Sequence, residues 1–341
     1  MQITAEKYEL SLKKPFRIAR EVFENKKNVL LKLNYKNFAG LGEASPSSFF
    51  DENQEQVYYF LKQLPENAFN DPRRIKDCID LLDSMEHGMN CAKCAVDMAL
   101  YDISGKILNE PVHKALKLDY TRTPLSSMTI GLGTEEEMLN DARELIGWSF
   151  VKVKVDSKLD IKLLAEIQKI TGAKMYIDAN ASWEVDEAID KLNKLKEITE
   201  IEFIEQPLAV GKNQDLKKLK QHSPFPVFLD EDIVTPYDID RTLGLADGIN
   251  VKIQKCGGIF RSIELITYAR MKNIKVMLGC RIESIIGITA AVQIAPLADY
   301  LDLDSHFLLK NDRYAGALIH KGKLIVSEYP GLGIIEKSLL H

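Results

Sequence analysis

Apolar residues follow a repeating pattern after about residue 125. Short β-rich runs alternate there with stretches whose apolar positions recur at helical spacing. Repeated strand–helix units produce a parallel sheet, and eight of them close that sheet into a (β/α)8 barrel of the α/β class. The eight predicted strands are Ser127–Ile130, Phe150–Val155, Lys174–Ile177, Ile201–Ile204, Pro226–Leu229, Gly248–Ile253, Lys275–Leu278 and Tyr300–Leu303.

The first 120 residues lack this repeat. Alternating segments such as residues 29–33 indicate strands, and a long helical pattern covers residues 93–107. We therefore predict an α+β region over residues 1–122 and a barrel domain over residues 123–318.

A charged residue ends five consecutive predicted strands. Lys154, Asp178, Glu205, Asp230 and Lys252 are separated by 24, 27, 25 and 22 residues, close to one strand–helix unit each. Barrel strands are covered on both faces, so inward charges are costly unless they have a function. Active sites of such barrels lie at the carboxyl ends of the strands. The spacing predicts an active site at that end.

The three carboxylates belong to neighbouring strands, the third, fourth and fifth. Asp178, Glu205 and Asp230 would repel one another unless a cation lies between them. Oxygen ligands without a nearby cysteine or histidine favour a hard ion. We predict a Mg²⁺ site that keeps open positions for substrate or water.

The two lysines belong to opposite strands of the ring, the second and the sixth. Lys154 and Lys252 would flank a substrate whose carboxylate is held at the metal, which stabilises the charge formed when the α-proton leaves. Lys152 shares a strand face with Lys154. A neighbouring ammonium and partial burial both lower a lysine pKa, as a general base requires. Two bases on opposite faces predict racemisation or epimerisation.

The eighth strand carries two further acidic residues, Asp302 and Asp304, whose side chains point the same way. This strand lies opposite the fourth, across from the predicted metal. Inward carboxylates without a metal of their own suit a substrate ammonium. A substrate with a carboxylate at one end and an amine at the other is consistent with a dipeptide.

Short motifs surround these residues: Val151-Lys152-Val153-Lys154, Asp178-Ala179-Asn180, Glu205-Gln206-Pro207, Asp230-Glu231, Asn250-Val251-Lys252, Lys255-Cys256-Gly257-Gly258, and Asp302-x-Asp304 followed by Ser305. Together they resemble the enolase superfamily, in its muconate-lactonizing-enzyme subgroup, and within it the dipeptide epimerases, whose best-known activity is on L-Ala-D/L-Glu. The resemblance implies a modified (β/α)7β barrel and an α+β capping domain to which residues 319–341 return.

The same resemblance implies roles for individual residues. Lys154 and Lys252 would be the acid/base catalysts, the three carboxylates would bind Mg²⁺, and Asp302 and Asp304 would hold the N-terminal ammonium. The remaining expected site residues are Lys152 and Thr129 at the substrate, and Asn180 and Glu231 beside the metal ligands. The seventh strand ends without a histidine, which disfavours the mandelate-racemase branch.

The sequence departs from the dipeptide-epimerase pattern at two positions, and the substrate specificity is therefore left open. Arg281 replaces a methionine that is common there, and Glu21 stands where some Ala-Glu epimerases carry an arginine. Arg20 and Arg281 together could hold a second substrate carboxylate, so Ala-Glu is our preferred substrate. Because the cap also carries acidic residues, a cationic dipeptide is an alternative substrate, and a hydrophobic dipeptide is a further alternative.

Three other functions account for these residues less completely than a dipeptide epimerase does. A Schiff-base lyase using Lys252 leaves the three carboxylates unexplained. A cycloisomerase or o-succinylbenzoate synthase of the same superfamily has no amine for Asp302 and Asp304 to bind. A non-catalytic binding barrel would not need the intact base and metal positions.

Composition narrows the class of protein further. The 341 residues have a net charge of −5 and 45% hydrophobic residues, which fits a globular protein and argues against a nucleic-acid footprint. The amino terminus shows no signal peptide, no segment suits a membrane span, and five cysteines do not form a disulfide framework. We therefore expect a cytoplasmic protein. The resemblance to dipeptide epimerases implies an enzyme of murein peptide metabolism with a small-molecule partner, and a homo-oligomer stays open.

Overall fold

The computed structural model describes residues 1–65, 69–158 and 160–339. The predicted cap, barrel and C-terminal ranges also include residues 66–68, 159 and 340–341, which lie outside the described residues. The predicted combination of a (β/α) barrel and an α+β cap is confirmed. The exact division at residues 122 and 318 stays a prediction.

The cap is a three-stranded antiparallel sheet with helices packed on it. Strands β1 (Gln2–Ile18) and β2 (Glu21–Tyr35) form a long hairpin, and β3 (Phe38–Ala44) pairs with β2. Two residues, 19 and 20, form the turn of the hairpin. The cap helices are α1 (Gln54–Gln63), α2 (Ile75–Met85), α3 (Asn90–Leu108) and α4 (Val112–Ala115).

Close packing of α3 on β3 depends on two glycines. A Cβ at Gly40 or Gly42 would collide with the backbone carbonyl of Ala99 or Ala95 on α3. The helix is therefore buried along most of its length, with its apolar side chains in the cap core.

Eight parallel strands form the barrel, in the order of the chain. Ser127 N donates to Leu301 O at 2.9 Å and so joins the last strand to the first. The strands are β4 (Met128–Ile130), β5 (Phe150–Lys154), β6 (Lys174–Asp178), β7 (Ile204–Glu205), β8 (Val227–Leu229), β9 (Gly248–Lys252), β10 (Lys275–Gly279) and β11 (Tyr300–Asp302). The predicted strand at 201–204 lies later in the chain, at β7, and the others agree to within one residue at each end.

Helices cover the outside of the barrel and bury its outward-facing apolar side chains. The first begins with the capping box of Thr134 and Glu137, each side chain bonding the other's backbone N–H. The helices are α5 (Glu135–Glu144), α6 (Ile161–Thr171), α7 (Val185–Ile198), α8 (Asn213–His222), α9 (Pro236–Arg241), α10 (Ile253–Cys256), α11 (Ile259–Met271) and α12 (Ile285–Val292). No helix in the part of the chain that the structure describes is long and apolar enough to cross a bilayer.

The amino end of the barrel interior is filled by an aromatic plug, comprising Tyr176, Phe203, Phe228, Met277 and Tyr300. The rings of Phe203 and Phe228 stack with centroids 4.0 Å apart, and the Tyr176 ring stacks on Phe203 at 4.4 Å. This plug supports the layer of side chains above it.

The chain after the barrel returns to the cap. It forms two small antiparallel pairs, β12 (Tyr314–Ala315) with β15 (Ile335–Glu336) and β13 (Leu318–His320) with β14 (Lys323–Ile325). Gly331 O accepts from Val112 N, and Leu332 N donates to Asp102 of α3, each at 2.9 Å. The C-terminal segment is thereby held on the cap helices.

Candidate active site

Three carboxylates lie where neighbouring barrel strands end. Asp178 is the last residue of β6, Glu205 is the last of β7, and Asp230 follows β8 directly. Sheet pairing sets Asp178 beside Glu205, and all three side chains are buried. The strand spacing therefore brings the predicted metal ligands to one arc of the carboxyl-end rim.

The two predicted catalytic lysines end β5 and β9, on opposite sides of the ring. Lys154 Nζ lies 2.6 Å from Asp178 Oδ2, and Lys252 Nζ lies 2.6 Å from Asp230 Oδ2. Burial lowers the pKa of Lys252, but Asp230, Glu205 and Glu231 together outweigh burial, and the pKa lies above its ordinary value. In this arrangement the charge of Lys252 is paired.

Lys152 lies among the carboxylates of both predicted subsites. Its Nζ is 3.0 Å from Asp178 Oδ2, 2.8 Å from Glu205 Oε2 and 2.8 Å from Asp302 Oδ2. Burial lowers the pKa of Lys152, yet these carboxylates raise it well above its ordinary value. Lys152 is therefore a fixed positive charge between the predicted metal ligands and the predicted ammonium site.

Charge is balanced unevenly among the carboxylates. Burial alone would raise the pKa of Asp178, but Lys152 and Lys154 hold it below its usual value. Burial, with help from the Asp178 charge, raises the pKa of Glu205 to about 7. Glu205 is thus the carboxylate whose negative charge the surrounding lysines compensate least.

The ligand set suits a hard divalent cation, although lysines stand between its members. Within the described residues, no three His, Cys, Asp or Glu side chains converge as a formed metal site. Asn250 Nδ2 donates to Glu205 Oε1 at 2.6 Å, whereas the buried Oε2 accepts no hydrogen bond of good geometry. Three buried carboxylates, in one of which Oε2 contacts only the Lys152 ammonium, fit Mg²⁺ as the counter-charge.

A second acidic pair lines the opposite side of the rim. Asp302 bonds Ser127 Oγ at 3.1 Å and Thr129 Oγ1 at 3.4 Å, besides its ion pair with Lys152. Asp304 accepts from Thr129 N at 2.6 Å and makes no ion pair among the described residues. Burial, with the charge of Asp302, raises the pKa of Asp304 to about 6. Asp304 is therefore the more available anion.

Arg20 connects the cap to the barrel rim. It occupies the turn between β1 and β2, and its Nη1 lies 2.7 Å from Glu231 Oε1 and 3.1 Å from Asn180 O. Asn180 Nδ2 donates to Asp178 and Glu231, each at 3.4 Å. Arg20, Asn180 and Glu231 thus form a polar bridge from the hairpin tip to a predicted metal ligand.

Arg281 follows β10, and its charge is paired within the protein. Its Nη1 lies 2.8 Å from Glu52 Oε2 and donates to Ser45 O at 2.6 Å. The side chains of Arg281 and Glu52 are only 9% and 3% exposed. Glu52 also accepts from Cys91 N at 3.0 Å, so this cap carboxylate is held in place.

The sequence reasoning missed Lys26 and Ser127. Lys26 of β2 is half-buried and donates to Pro46 O at 2.6 Å. The sequence does contain a signal for Lys26. Because side chains on one face of a strand recur every two residues, Lys26 shares a face with the fully buried Asn28. Ser127 bonds both Asp302 and the Tyr176 hydroxyl of the aromatic plug, at 3.1 and 2.6 Å.

A cavity of about 120 Å³ lies between the cap and the barrel rim. Both catalytic-lysine candidates open into it, together with Asp302 at the end of β11 and Asp304 just after it. Its lining residues are Phe16, Ile18, Arg20, Glu21, Phe23, Lys26, Ser47, Thr129, Lys152, Lys154, Asn180, Lys252, Cys280, Arg281, Ile282, Asp302, Asp304, Ser305 and Leu308. The cap supplies the apolar wall, and the barrel supplies most of the charged floor.

Two known protein domains match this chain. Residues 135–336 match the family described as enolase C-terminal domain-like. Residues 2–116 match the N-terminal domain of mandelate racemase and muconate lactonizing enzyme. The two matches correspond to the barrel and the cap.

Individual relatives agree with these matches. An L-Ala-D/L-Glu epimerase of Bacteroides thetaiotaomicron is 33% identical over 338 residues, which are 98% of this chain and 88% of the relative. The substrate-liganded L-Ala-D/L-Glu epimerase of Bacillus subtilis has a TM-score of 0.92 at 28% identity, over 98% of both chains. A Cytophaga hutchinsonii dipeptide epimerase complexed with Mg and D-Ala-L-Val has a TM-score of 0.90 at 26% identity, over 98% of this chain and 95% of that one.

The resemblance inferred from the strand-end motifs is thereby confirmed. One family match alone covers more than half of the chain, residues 135–336 of 341. The chain belongs to the mandelate racemase/muconate lactonizing enzyme family of the enolase superfamily.

Proposed function

We propose that this protein is a Mg²⁺-dependent dipeptide epimerase, an isomerase that inverts the α-carbon of the C-terminal residue. One observation carries the proposal: Lys154 and Lys252 open into the same cavity from opposite strands, beside three buried carboxylates. The epimerase activities of the Bacteroides and Bacillus relatives support it.

Asp178, Glu205 and Asp230 are the residues that would hold the metal. Burial and the Asp178 charge raise the pKa of Glu205, so a cation held by this carboxylate would stabilise its charged form. Bound Mg²⁺ would hold the substrate carboxylate, neutralise the charge developing as the α-proton leaves, and take over the counter-charge that the lysines now supply.

The two lysines would move the proton. A neutral amine on one face of the α-carbon takes the proton, while the ammonium on the other face returns one, and this inverts the centre. Lys154 and Lys252 exchange these roles for the opposite epimer. Asn180 and Glu231, tied together by Arg20, keep the rim beside Asp178 in position.

The amine of the dipeptide would bind on the other side of the cavity. Asp304 is buried, lines the cavity and makes no ion pair in the described part of the chain. Asp302 lies next to it, and Thr129 fixes both carboxylates. An ammonium here restores the charge balance that the buried acidic pair lacks.

Ala-Glu is the dipeptide that we favour, with cationic and hydrophobic dipeptides as alternatives. Arg20 and Arg281 line the cavity, but Glu231 and Glu52 already neutralise them. These arginines therefore act first as ties between cap and barrel.

The cellular setting follows from the same chemistry. We infer a cytoplasmic enzyme that takes part in murein peptide metabolism, where an Ala-Glu dipeptide is the substrate. The five cysteines are free thiols, which is typical of reducing compartments. A small-molecule partner is sufficient for this role.

Incubation with dipeptide pools in D₂O tests the proposal. We expect a one-dalton mass gain in the substrate dipeptide, with deuterium at the α-carbon of its C-terminal residue. EDTA should abolish the gain, and added Mg²⁺ should restore it. If no pool gains EDTA-sensitive mass, the protein is not a dipeptide epimerase.

A further inference from the structure

Six cationic side chains line the cavity, and five of them are already neutralised. Each of the five has a carboxylate oxygen within 4 Å: Arg20 with Glu231, Lys152 with three acids, Lys154 with Asp178, Lys252 with Asp230, and Arg281 with Glu52. Lys26 is the exception, because no ion pair within that distance is found for it among the described residues.

Lys26 is held in place without being neutralised. Its Nζ donates to Pro46 O at 2.6 Å and lies 5.5 Å from the centre of the Phe23 ring. An ammonium has three N–H donors, so the carbonyl leaves capacity for a further acceptor. A bound anion would meet a positive charge that is oriented but unpaired.

Burial lowers the pKa of Lys26 to about 8, and Arg281 adds to the lowering. Glu21, Cys91 and Glu52 act in the opposite direction. Desolvation of a cation with no carboxylate partner has this effect. Lys26 stays mainly protonated at neutral pH, and a carboxylate at its Nζ would compensate the desolvation.

The surroundings of Lys26 suit the side chain of glutamate. Phe16, Ile18 and Phe23 of the cap line the cavity near it, and Ile282 and Leu308 line the barrel side. Such walls accommodate methylene groups, whereas the charged end of the side chain needs a specific partner. Glu21 also lines the cavity, but it lies exposed at the hairpin tip, where water screens its charge.

We propose that Lys26 selects dipeptides that carry a side-chain carboxylate, by donating a charged hydrogen bond to that group. The inference rests on the proposed function and assigns its specificity to one cap residue. It replaces the earlier expectation that Arg20 and Arg281 bind the second carboxylate, because both of these are paired within the protein. Asp304 and Lys26 would then recognise opposite charges of one substrate.

The test compares L-Ala-L-Glu with its neutral isostere L-Ala-L-Gln. The measured quantity is the ratio of kcat/KM for the two dipeptides in the Mg²⁺-loaded enzyme. We expect the wild-type ratio to exceed one and Lys26→Met to lower it about 10- to 100-fold, as loss of a charged hydrogen bond predicts. Lys27→Met removes the same charge from the neighbouring exposed position and should leave the ratio unchanged.

A pH series keeps the inference testable if Lys26→Met fails to fold. The wild-type ratio should fall as pH rises through about 8, because Lys26 loses its proton. Titration of the catalytic groups and of the substrate amine affects both dipeptides and cancels in the ratio. A constant ratio between pH 6.5 and 9.5 would overturn the assignment.

The outcomes separate the two proposals. Absence of epimerisation with every dipeptide contradicts the proposed function itself. Epimerisation with a wild-type ratio at or below one, or a preference for L-Ala-L-Lys, contradicts only the role of Lys26. An unchanged ratio of kcat/KM values in a folded Lys26→Met variant likewise contradicts only the role of Lys26.

Discussion

The two ends of the barrel interior are built from the same strands but from opposite kinds of side chain. Tyr176 and Asp178 lie two residues apart on β6, so both point inward, the first into the aromatic plug and the second into the rim. The same offset relates plug to rim residues in three other places: Phe203 and Glu205, Phe228 and Asp230, and Tyr300 and Asp302.

The difference shows that the two ends contribute different things: the plug stabilises the fold, and the rim carries the groups for chemistry. The plug buries rings against each other, which is favourable without further partners. The rim buries charges, each of which costs several kcal/mol unless it is paired. Rim residues are therefore retained for what they bind, and plug residues for holding the strands at a fixed spacing. Substitutions at the two ends should separate these effects.

The largest effect should come from the lysines of the rim. We expect Lys154→Ala and Lys252→Ala each to abolish epimerisation, with a loss of at least about 10³-fold, because each removes one of two proton carriers. Each variant should still exchange the α-proton of one epimer for deuterium, and the two variants should favour opposite epimers. Chiral chromatography and proton NMR in D₂O measure both quantities.

The exposed Lys162→Ala on α6 serves as the control and should epimerise normally. Full epimerase activity in either rim variant would contradict the two-base mechanism.

A change in the plug should act on stability instead. Phe203→Ala removes the ring that stacks on both Tyr176 and Phe228, and we expect the free energy of unfolding to fall by about 3–5 kcal/mol. Urea unfolding measures the difference. Tyr237→Ala, at a position 75% exposed, should change it by less than about 0.5 kcal/mol. A loss below 1 kcal/mol for Phe203→Ala would show that the plug does not support the barrel.

The proposed metal ligands connect activity with stability. At a Mg²⁺ concentration 100 times its Kd, the wild type should gain about 2.7 kcal/mol, and Glu205→Gln should lose most of that gain. Urea unfolding with and without MgCl₂ measures it. Glu202→Gln changes the same residue type before the amino end of β7, beside Lys174 at the start of β6, and should keep the gain. A wild type that Mg²⁺ does not stabilise would argue against the metal site.

The smallest effect concerns the contact between the aromatic plug and the charged rim of the barrel. Ser127 bonds the Tyr176 hydroxyl below and Asp302 above, so Ser127→Ala leaves both with fewer partners. We expect a loss of about 1 kcal/mol in urea unfolding. The exposed Ser157→Ala is the matched control, and equal values for the two variants would show that the contact is energetically neutral.

The barrel and its charged rim could be predicted from the sequence because each signal is local. A strand, a helix and a strand-end charge recur every 22–27 residues, and the barrel geometry then places those charges together. Predicting Asp178, Glu205 and Asp230 as site residues therefore required no information about distant segments of the chain.

The cap side of the cavity could not be predicted in the same way. Arg281 pairs with Glu52, which lies 229 residues away, so its neutralisation depends on how the cap docks. The raised pKa of Lys252 likewise depends on the exact approach of Asp230, because burial alone would have lowered it. Lys26 lies in a cap strand that also contacts the barrel, where Asn28 Nδ2 donates to Ile282 O. The two-residue strand period indicated which face of the strand carries Lys26, but not that this face borders a cavity.

Lys152 has a thermodynamic consequence for ligand binding. Its ammonium touches Asp178 and Glu205 on one side and Asp302 on the other. A cation held by the first two carboxylates, as proposed, would repel Lys152 toward Asp302 and would thereby change the affinity for a substrate ammonium. Linkage is reciprocal, so the ammonium must alter the affinity for the cation by the same factor. In a dipeptide bound as proposed, the two ends would thus be energetically coupled through a residue that need not take part in proton transfer.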